Sequence, residues 1–301
     1  MTAAPLVVNA DDLGVSRGAT LGIVRAHREG LVTSASLAMT MPAYEHALDA
    51  CVRQCPDLGI GLHFTLTSGR PVSQARDVPK LVNADGFFRW RFMALLRAAS
   101  FRARGDLLDQ IDIELEAQIQ RLVRDGVKPD HIDGERHVHL IPGIIERVMA
   151  AARRHGIPFI RLGRETATPY IRPGDVGALL LRGGFAKSWL LSTLTRRNRR
   201  LLGNGVRSAD HFASYLYSGR LDLVLGEILM RPPSDGITEI MVHPGIPEES
   251  RGLSFDNREL ARYLGSEDRR REMEACIAAR ASVGAWRLTT FARLAQERAQ
   301  P

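Results

Sequence analysis

Short apolar runs recur along the chain, and several of them lead into a carboxylate or an imidazole. Pro5 to Asn9 runs into Asp11 and Asp12, Leu58 to Leu62 into His63, Asp130 to Asp133 toward His137 and His139, and Ile237 to Val242 into His243. Such runs predict strands. Longer stretches of helical period separate them. Leu107, Leu108, Ile111, Leu115, Ile119, Leu122 and Val123 recur at spacings of three and four among charged residues, which predicts an amphipathic helix ending at Gly126 with one buried face. Ser16 predicts the N-cap of a helix reaching Arg28, followed by a strand over Thr33 to Met39 and a helix over Ala43 to Cys55. Further along come helices over Pro142 to His155, Arg220 to Met230 and Glu267 to Val283, and a strand over Ile157 to Arg161.

This alternation gives about six to eight β/α units and predicts an α/β fold with a parallel sheet and right-handed crossovers. No Gly-x-Gly-x-x-Gly follows a strand, which argues against a dinucleotide-binding sheet. The expected architecture is a distorted or incomplete (β/α) TIM-like barrel. In such a barrel every strand end lies on one face, so residues far apart in the chain meet there. The 301 residues fit a single domain over 1–301, with two segments, about 68–101 and 166–205, too long for ordinary connections and read as substrate-binding insertions.

Hydrophobic residues make up 45% and charged residues 25% of the chain, a globular composition, and no apolar run approaches the roughly 18 residues that span a bilayer. No basic leader precedes the first strand, and the expected location is cytoplasmic. Cys51, Cys55 and Cys276 lack zinc-knuckle spacing and read as idle thiols. Lys plus Arg at 41 against Asp plus Glu at 34 gives 41 − 34 = +7, which favours anionic partners. Arg196, Arg197, Arg199 and Arg200 follow the apolar Trp189, Leu190, Leu191 and Leu194, and this cluster reads as a surface with a purpose. Arg269, Arg270 and Arg271 are interspersed with acids in a mixed helix and do not. No aromatic-basic module supports nucleic-acid binding.

Five segments carry a family likeness: Asn9-Ala10-Asp11-Asp12-Leu13-Gly14, Thr33-Ser34-Ala35-Ser36, Gly61 to Pro71, His131-Ile132-Asp133-Gly134-Glu135-Arg136-His137-Val138-His139, and Val242-His243-Pro244-Gly245. In this order they resemble the YdjC-like carbohydrate deacetylases, and the likeness runs nearly end to end. It implies a distorted barrel that hydrolyses the N-acetyl group of an amino sugar with one bound divalent metal. The Asp-Gly-Glu-Arg-His-Val-His segment and the apolar insertion look most like the branch associated with hopanoid biosynthesis.

Amide hydrolysis explains why these residue types occur together. A neutral acetamide resists water, so a site must lower the pKa of water from about 15.7 toward about 7, or remove its proton as it attacks. The resemblance assigns Asp12, His63 and His137 to the metal. Zinc is favoured over magnesium, manganese, cobalt or nickel, though mixed N and O ligands suit all five. Asp11 is then the general base, and His243 protonates the departing amine. Asp133 is placed to bond a histidine ligand, His139 to touch substrate or a ligand, and Arg161 to hold Asp11 or a sugar hydroxyl. Glu135 stands where many relatives have histidine. Each has a plainer competitor: an Asp pair also caps turns, a lone strand histidine is often a satisfied core residue, and an arginine at a strand end often forms a structural ion pair. His137 and His139 are expected to point the same way along an extended segment.

The segment from Phe185 to Arg200 predicts an amphipathic, partly interfacial helix, and Phe87, Phe88, Trp90, Phe92, Met93, Leu95 and Leu96 with Arg89, Arg91 and Arg97 predict a second apolar-basic element. Together they suggest a greasy entrance for an N-acetylglucosaminyl lipid and peripheral contact with the inner membrane surface. The alternative is that they pack internally or across a homodimer interface. Soluble chitooligosaccharides, or a non-catalytic sugar-lipid binding role, are the competing functions.

Overall fold

The computed structural model describes residues 3–100, 104–166, 170–181, 183–251 and 258–297. Among them the strands are β1 (Ala4–Leu13), β2 (Ser34–Leu37), β3 (Gly59–Phe64), β4 (His131–Gly134), β5 (Phe159–Ile160), β6 (Arg164–Glu165), β7 (His211–Ala213), β8 (Thr238–Val242) and β9 (Trp286–Leu288). They form one sheet in the order β5-β4-β3-β2-β1-β8-β7-β6, with β9 against β1 and every pairing parallel. The sheet curls until its β5 edge meets the segment before β7. There the Ile160 N–H donates to the Arg207 carbonyl and the Arg207 N–H to the Pro158 carbonyl, each at 2.9 Å. The result is a TIM-like barrel with an irregular closure.

The helices are α1 (Arg17–Arg28), α2 (Tyr44–Ala47), α3 (Phe92–Ser100), α4 (Arg104–Arg124), α5 (Ile144–His155), α6 (Val176–Leu181), α7 (Gly184–Asn198), α8 (Leu225–Leu229), α9 (Arg258–Leu264), α10 (Glu267–Ala278) and α11 (Phe291–Glu297). Strands β3 and β8 are buried on both faces, which is why β3 is apolar up to His63 and why Glu239 of β8 needs a buried partner. Ser16 caps α1, its hydroxyl accepting from the Ala19 N–H at 3.0 Å. Gly22 lets α1 lie directly on the segment after β8: a Cβ there would sit 2.4 Å from the Gly245 Cα. No helix among the described residues is long and apolar enough to cross a membrane.

Several boundaries differ from expectation. The helix expected over Ala43 to Cys55 is a single α turn continuing as a π-helix over Leu48–Arg53. The one expected over Arg220 to Met230 breaks at Val224, where φ is −129°, into a 3-10 turn and α8. On α4 the stripe from Leu107 to Leu122 is buried, but Val123 is 54% exposed, because the next turn carries it round to solvent.

The first long segment packs part of its apolar side chains inward, while Met93 stays 62% exposed. Phe88 and Leu95 are buried, Trp90 Nε1 donates to the Lys80 carbonyl at 2.8 Å, and the Arg70 guanidinium sits 3.9 Å above the Phe87 ring. Buried Glu114 of α4 pins the segment by accepting the N–H groups of Val72 and Ser73 at 2.9 and 3.0 Å. Phe88 and Trp90 line a cavity next to the site together with Arg89 and Arg91, so this segment gives that cavity both apolar and basic side chains. In the second segment residues 167–169 and 182 lie outside the described residues. On α7, Leu191 and Leu194 are buried while Trp189 is 71% exposed. Arg199 is half-buried, donating to the carbonyls of Leu162 and Ala209 at 2.7 and 3.0 Å.

Candidate metal and catalytic site

Asp11 and Asp12 lie inside β1, two and one residues before its end, where a bulge bends the strand. The register with β2 slips between Ala10 and Leu13, and Asp12 takes φ 70°. A non-glycine residue in left-handed backbone costs about 1–3 kcal/mol. Here it brings adjacent carboxylates, which a regular strand would send to opposite faces, into one pocket of about 470 Å³. The pocket is also lined by His63 from β3, Glu135 and His137 from the turn after β4, Lys187 from α7, His243 after β8 and Tyr263 from α9.

Beneath it lies a buried polar core. The fully buried Arg161 guanidinium donates to both oxygens of Asp11 at 2.7 and 2.8 Å and to Glu239 Oε1 at 2.7 Å, and forms an ion pair with Asp133 Oδ2 at 2.6 Å. Burial alone would raise the Asp11 pKa, but this bidentate pairing outweighs it and holds the carboxyl far below its ordinary range. Asp133 Oδ2 also accepts from Ser36 Oγ at 2.6 Å, and its Oδ1 faces His63 Nδ1 at 2.7 Å. Burial opposes the charged form of His63, yet Asp133 raises its pKa to about 9.

Ser36, His131 and Asp130 line up as a nucleophilic triad would, with 3.0 Å between Ser36 Oγ and His131 Nε2 and 2.6 Å between His131 Nδ1 and Asp130 Oδ1. Ser36 Oγ also lies 2.6 Å from Asp133 Oδ2, which ties it into the Arg161 network. Burial opposes the charged form of His131, yet Asp130 raises its pKa. Gly61 makes room for it, since a Cβ there would lie 2.3 Å from the ring. This triad is structural.

The side of the pocket toward α10 is built by Arg269, which is 1% exposed and donates to Asp12 Oδ2 at 2.7 Å. Burial would raise the Asp12 pKa; Arg269 reverses this and lowers it. The sequence assigned no purpose to Arg269 in its mixed helix, and α10 turns it inward. Asp12 Oδ1 keeps no hydrogen bond and lies 3.7 Å from His63 Nε2, too far for one. His137 Nδ1 is buried and unpartnered. Burial, reinforced by the charges of Lys187 and Arg161, holds its pKa well below the usual value, so the ring is neutral.

His137 and His139 do not point the same way. Arg136 and His137 have φ 51° and 62°, forming a tight turn that aims His137 at the pocket and sends His139 Nε2 to the Arg161 carbonyl at 3.0 Å. Burial lowers the His139 pKa to about 4. Glu135 accepts from Thr67 Oγ1 at 2.6 Å and from Ser68 Oγ, which fixes the β3 loop to the β4 turn.

A divalent cation needs lone pairs not already engaged. Asp11, His63 and Asp133 bring ligand atoms within 4.8 Å of one another, a compact group able to bind a metal. Asp133 nonetheless has both oxygens taken, by His63, Ser36 and Arg161. Asp12 Oδ1, His63 Nε2 and His137 face the same pocket, although Asp12 and His137 do not belong to that 4.8 Å group, and an acid plus two imidazoles suits zinc and its neighbours.

Residues 5–282 match the family model described as YdjC-like protein. The chain belongs to the YdjC-like family. A carbohydrate deacetylase of Brevibacillus brevis is 34% identical over 246 residues, 81% of this chain and 83% of that one. A chitooligosaccharide deacetylase of Proteus mirabilis is 41% identical over 160 residues, 53% of this chain and 59% of that one. The crystal structure of a protein from Enterococcus faecalis, described as a cellobiose-phosphate cleavage protein, covers 97% of this chain and 99% of its own with a TM-score of 0.69 at 24% identity, which establishes the shared fold. In this YdjC-like chain, reading the motifs missed Arg269, Glu272, Glu239 and Asn9. Arg269 and Glu272 share a stripe with Met273 and Cys276, at spacings of three and four, and that periodicity was the available signal.

Proposed function

We propose that this chain is an N-deacetylase that cleaves the acetamide of an N-acetylglucosamine unit, releasing acetate and a free amine, with one divalent cation, zinc in our reading, held by Asp12, His63 and His137. The observation that carries this is the division of two adjacent carboxylates between Arg161 and Arg269, which leaves Asp12 Oδ1 open beside His63 Nε2 in a pocket that His243 also lines. The chemistry that such a cation supplies is Lewis acidity toward water and the acetyl carbonyl. Asp11, kept ionised by Arg161, retains a lone pair on Oδ2 without a protein donor and accepts the proton of the attacking water there. His243 donates a proton to the amine nitrogen as the C–N bond breaks. Asp133 fixes His63 by its Nδ1, leaving Nε2 toward the pocket.

We read the acceptor as lipid-linked, a glycosylated hopanoid by family resemblance, handled in the cytoplasm at the inner membrane surface. Leu180, Leu181 and Trp189, 63%, 91% and 71% exposed on α6 and α7, support this, because Lys187 of the same α7 lines the pocket. A soluble chitooligosaccharide is the second reading. It is favoured by the neighbouring cavity of about 370 Å³, whose lining includes Arg89, Arg91, Arg136 and Arg258. Acetate release from an N-acetylglucosaminyl hopanoid in detergent and from N,N′-diacetylchitobiose, before and after chelation, separates the two. Chelator-sensitive release from the lipid alone supports the first reading and release from the sugar alone the second. Release from neither leaves the non-catalytic binding role.

A further inference from the structure

His243 can protonate the amine only if its ring is held with a defined nitrogen toward the substrate. Its backbone N–H donates to Glu272 Oε2 at 2.5 Å, and its buried Nδ1, which has no hydrogen bond among the described residues, faces that same oxygen at an ion-pair distance of 3.4 Å. Glu272 is 1% exposed, and its Oε1 accepts the Leu221 N–H at 2.8 Å. Among the described residues the His243 ring is the basic group within ion-pair distance of this carboxylate, with no arginine or lysine so placed. The edge of the Tyr263 ring, 5.8 Å away between centroids, closes another side of His243. Glu272 stands one helical turn after Arg269, so a single face of α10 delivers one contact to Asp12 and another to His243.

A carboxylate beside Nδ1 favours the proton on that nitrogen and leaves Nε2 as the one that exchanges protons with a reacting group. We infer that Glu272 is a positioning residue for the deacetylation reaction: it holds the His243 ring with Nδ1 protonated, so that Nε2 serves the departing amine. This rests on the deacetylase reading with His243 as proton donor. Glu272 takes no part in holding the cation.

The test uses the full chain loaded with zinc. Glu272→Gln keeps the size and one acceptor oxygen while removing the charge. Its kcat should fall about 10²-fold, the low end of what general acid–base groups contribute, with KM within about twofold. Its zinc Kd, measured by calorimetry, should stay within about threefold of the unaltered chain, because all three donors remain. Unaltered kcat in a folded Glu272→Gln protein would overturn the inference, as would a large loss of zinc affinity. If that variant fails to fold, the unaltered chain answers by itself. Nitrogen-15 histidine spectra, with the His243 ring identified by its absence in His243→Asn, should show Nδ1 protonated. A neutral ring protonated on Nε2 alone would overturn the assignment. Full activity in His243→Asn would instead remove the proton-donor role on which the inference stands, and the ring tautomer would still report whether Glu272 sets it.

Discussion

The two walls of the site are built on different principles. On the strand-end wall, Asp11, Asp133 and Glu239 surround one guanidinium, Arg161, and His63 and Ser36 extend the same network, so one cation ties several groups together. On the wall supplied by α10, each side chain engages one site residue: Arg269 holds Asp12 and Glu272 holds His243. The first wall is fixed by the sheet register. The second depends on how α10 docks against α1. Two neighbouring aspartates acquire different roles because their partners stand about a hundred residues apart in the chain.

The largest expected effect breaks the strand wall. His63→Ala should lose bound zinc and reduce acetate release to background, as metal content and a product assay would record. Asp11→Asn should keep zinc and lose about 10²- to 10⁴-fold in kcat, the range for general acid–base catalysis. Equal zinc loss in the two variants would merge the roles assigned to Asp11 and His63.

On the other wall, Arg269→Met leaves Asp12 buried without its partner, and losing one member of a buried pair costs about 3–5 kcal/mol. A denaturant titration should read that loss. Zinc should recover part of it, because the cation supplies the missing positive charge. No recovery would mean that Asp12 does not bind the metal.

A smaller effect lies in pH. The His63 pKa is raised from 6.5 to about 9 in the folded metal-free chain. Its contribution to stability is therefore complete below the unfolded value and drains away as pH rises through about 9. Zinc must displace this proton, so apparent zinc affinity should rise about tenfold per pH unit between pH 7 and 8.5 from His63 alone. A flat profile would place His63 outside the metal site. The smallest effect sharpens the comparison within one helix. Arg270 pairs with exposed Glu248 and Glu267, and Arg270→Ala should leave Tm and activity unchanged beside Arg269→Met.

The strand-end residues were legible because burial on both faces makes parallel strands mostly apolar, so Asp11, His63 and His243 stand out at their ends, whereas Glu239 inside β8 did not. The α1 cap at Ser16 was legible for a similar reason, since its hydroxyl answers a local backbone need. His137 and His139 were not separable, because the left-handed backbone at Arg136 and His137 is carried by non-glycine residues and leaves no mark in composition. The segment around Phe88 and Trp90 resembled an exposed apolar surface, and only packing against the core shows otherwise. Arg269 was hidden by its neighbours: in a run of three arginines among acids, the one that faces inward is set by the helix's rotation about its axis.

The sequence by itself determined the parallel α/β architecture, the face on which the site stands, and the acids and imidazoles that compose it, because hydrophobic periodicity and strand-end polarity are local properties. Tertiary structure alone decided which aspartate each arginine holds, which histidine enters the pocket, and that His131 pairs with Asp130 in the core. Those outcomes depend on distances between elements brought together only when the barrel closes and α10 docks, and electrostatic pairing in a buried site is set by such distances.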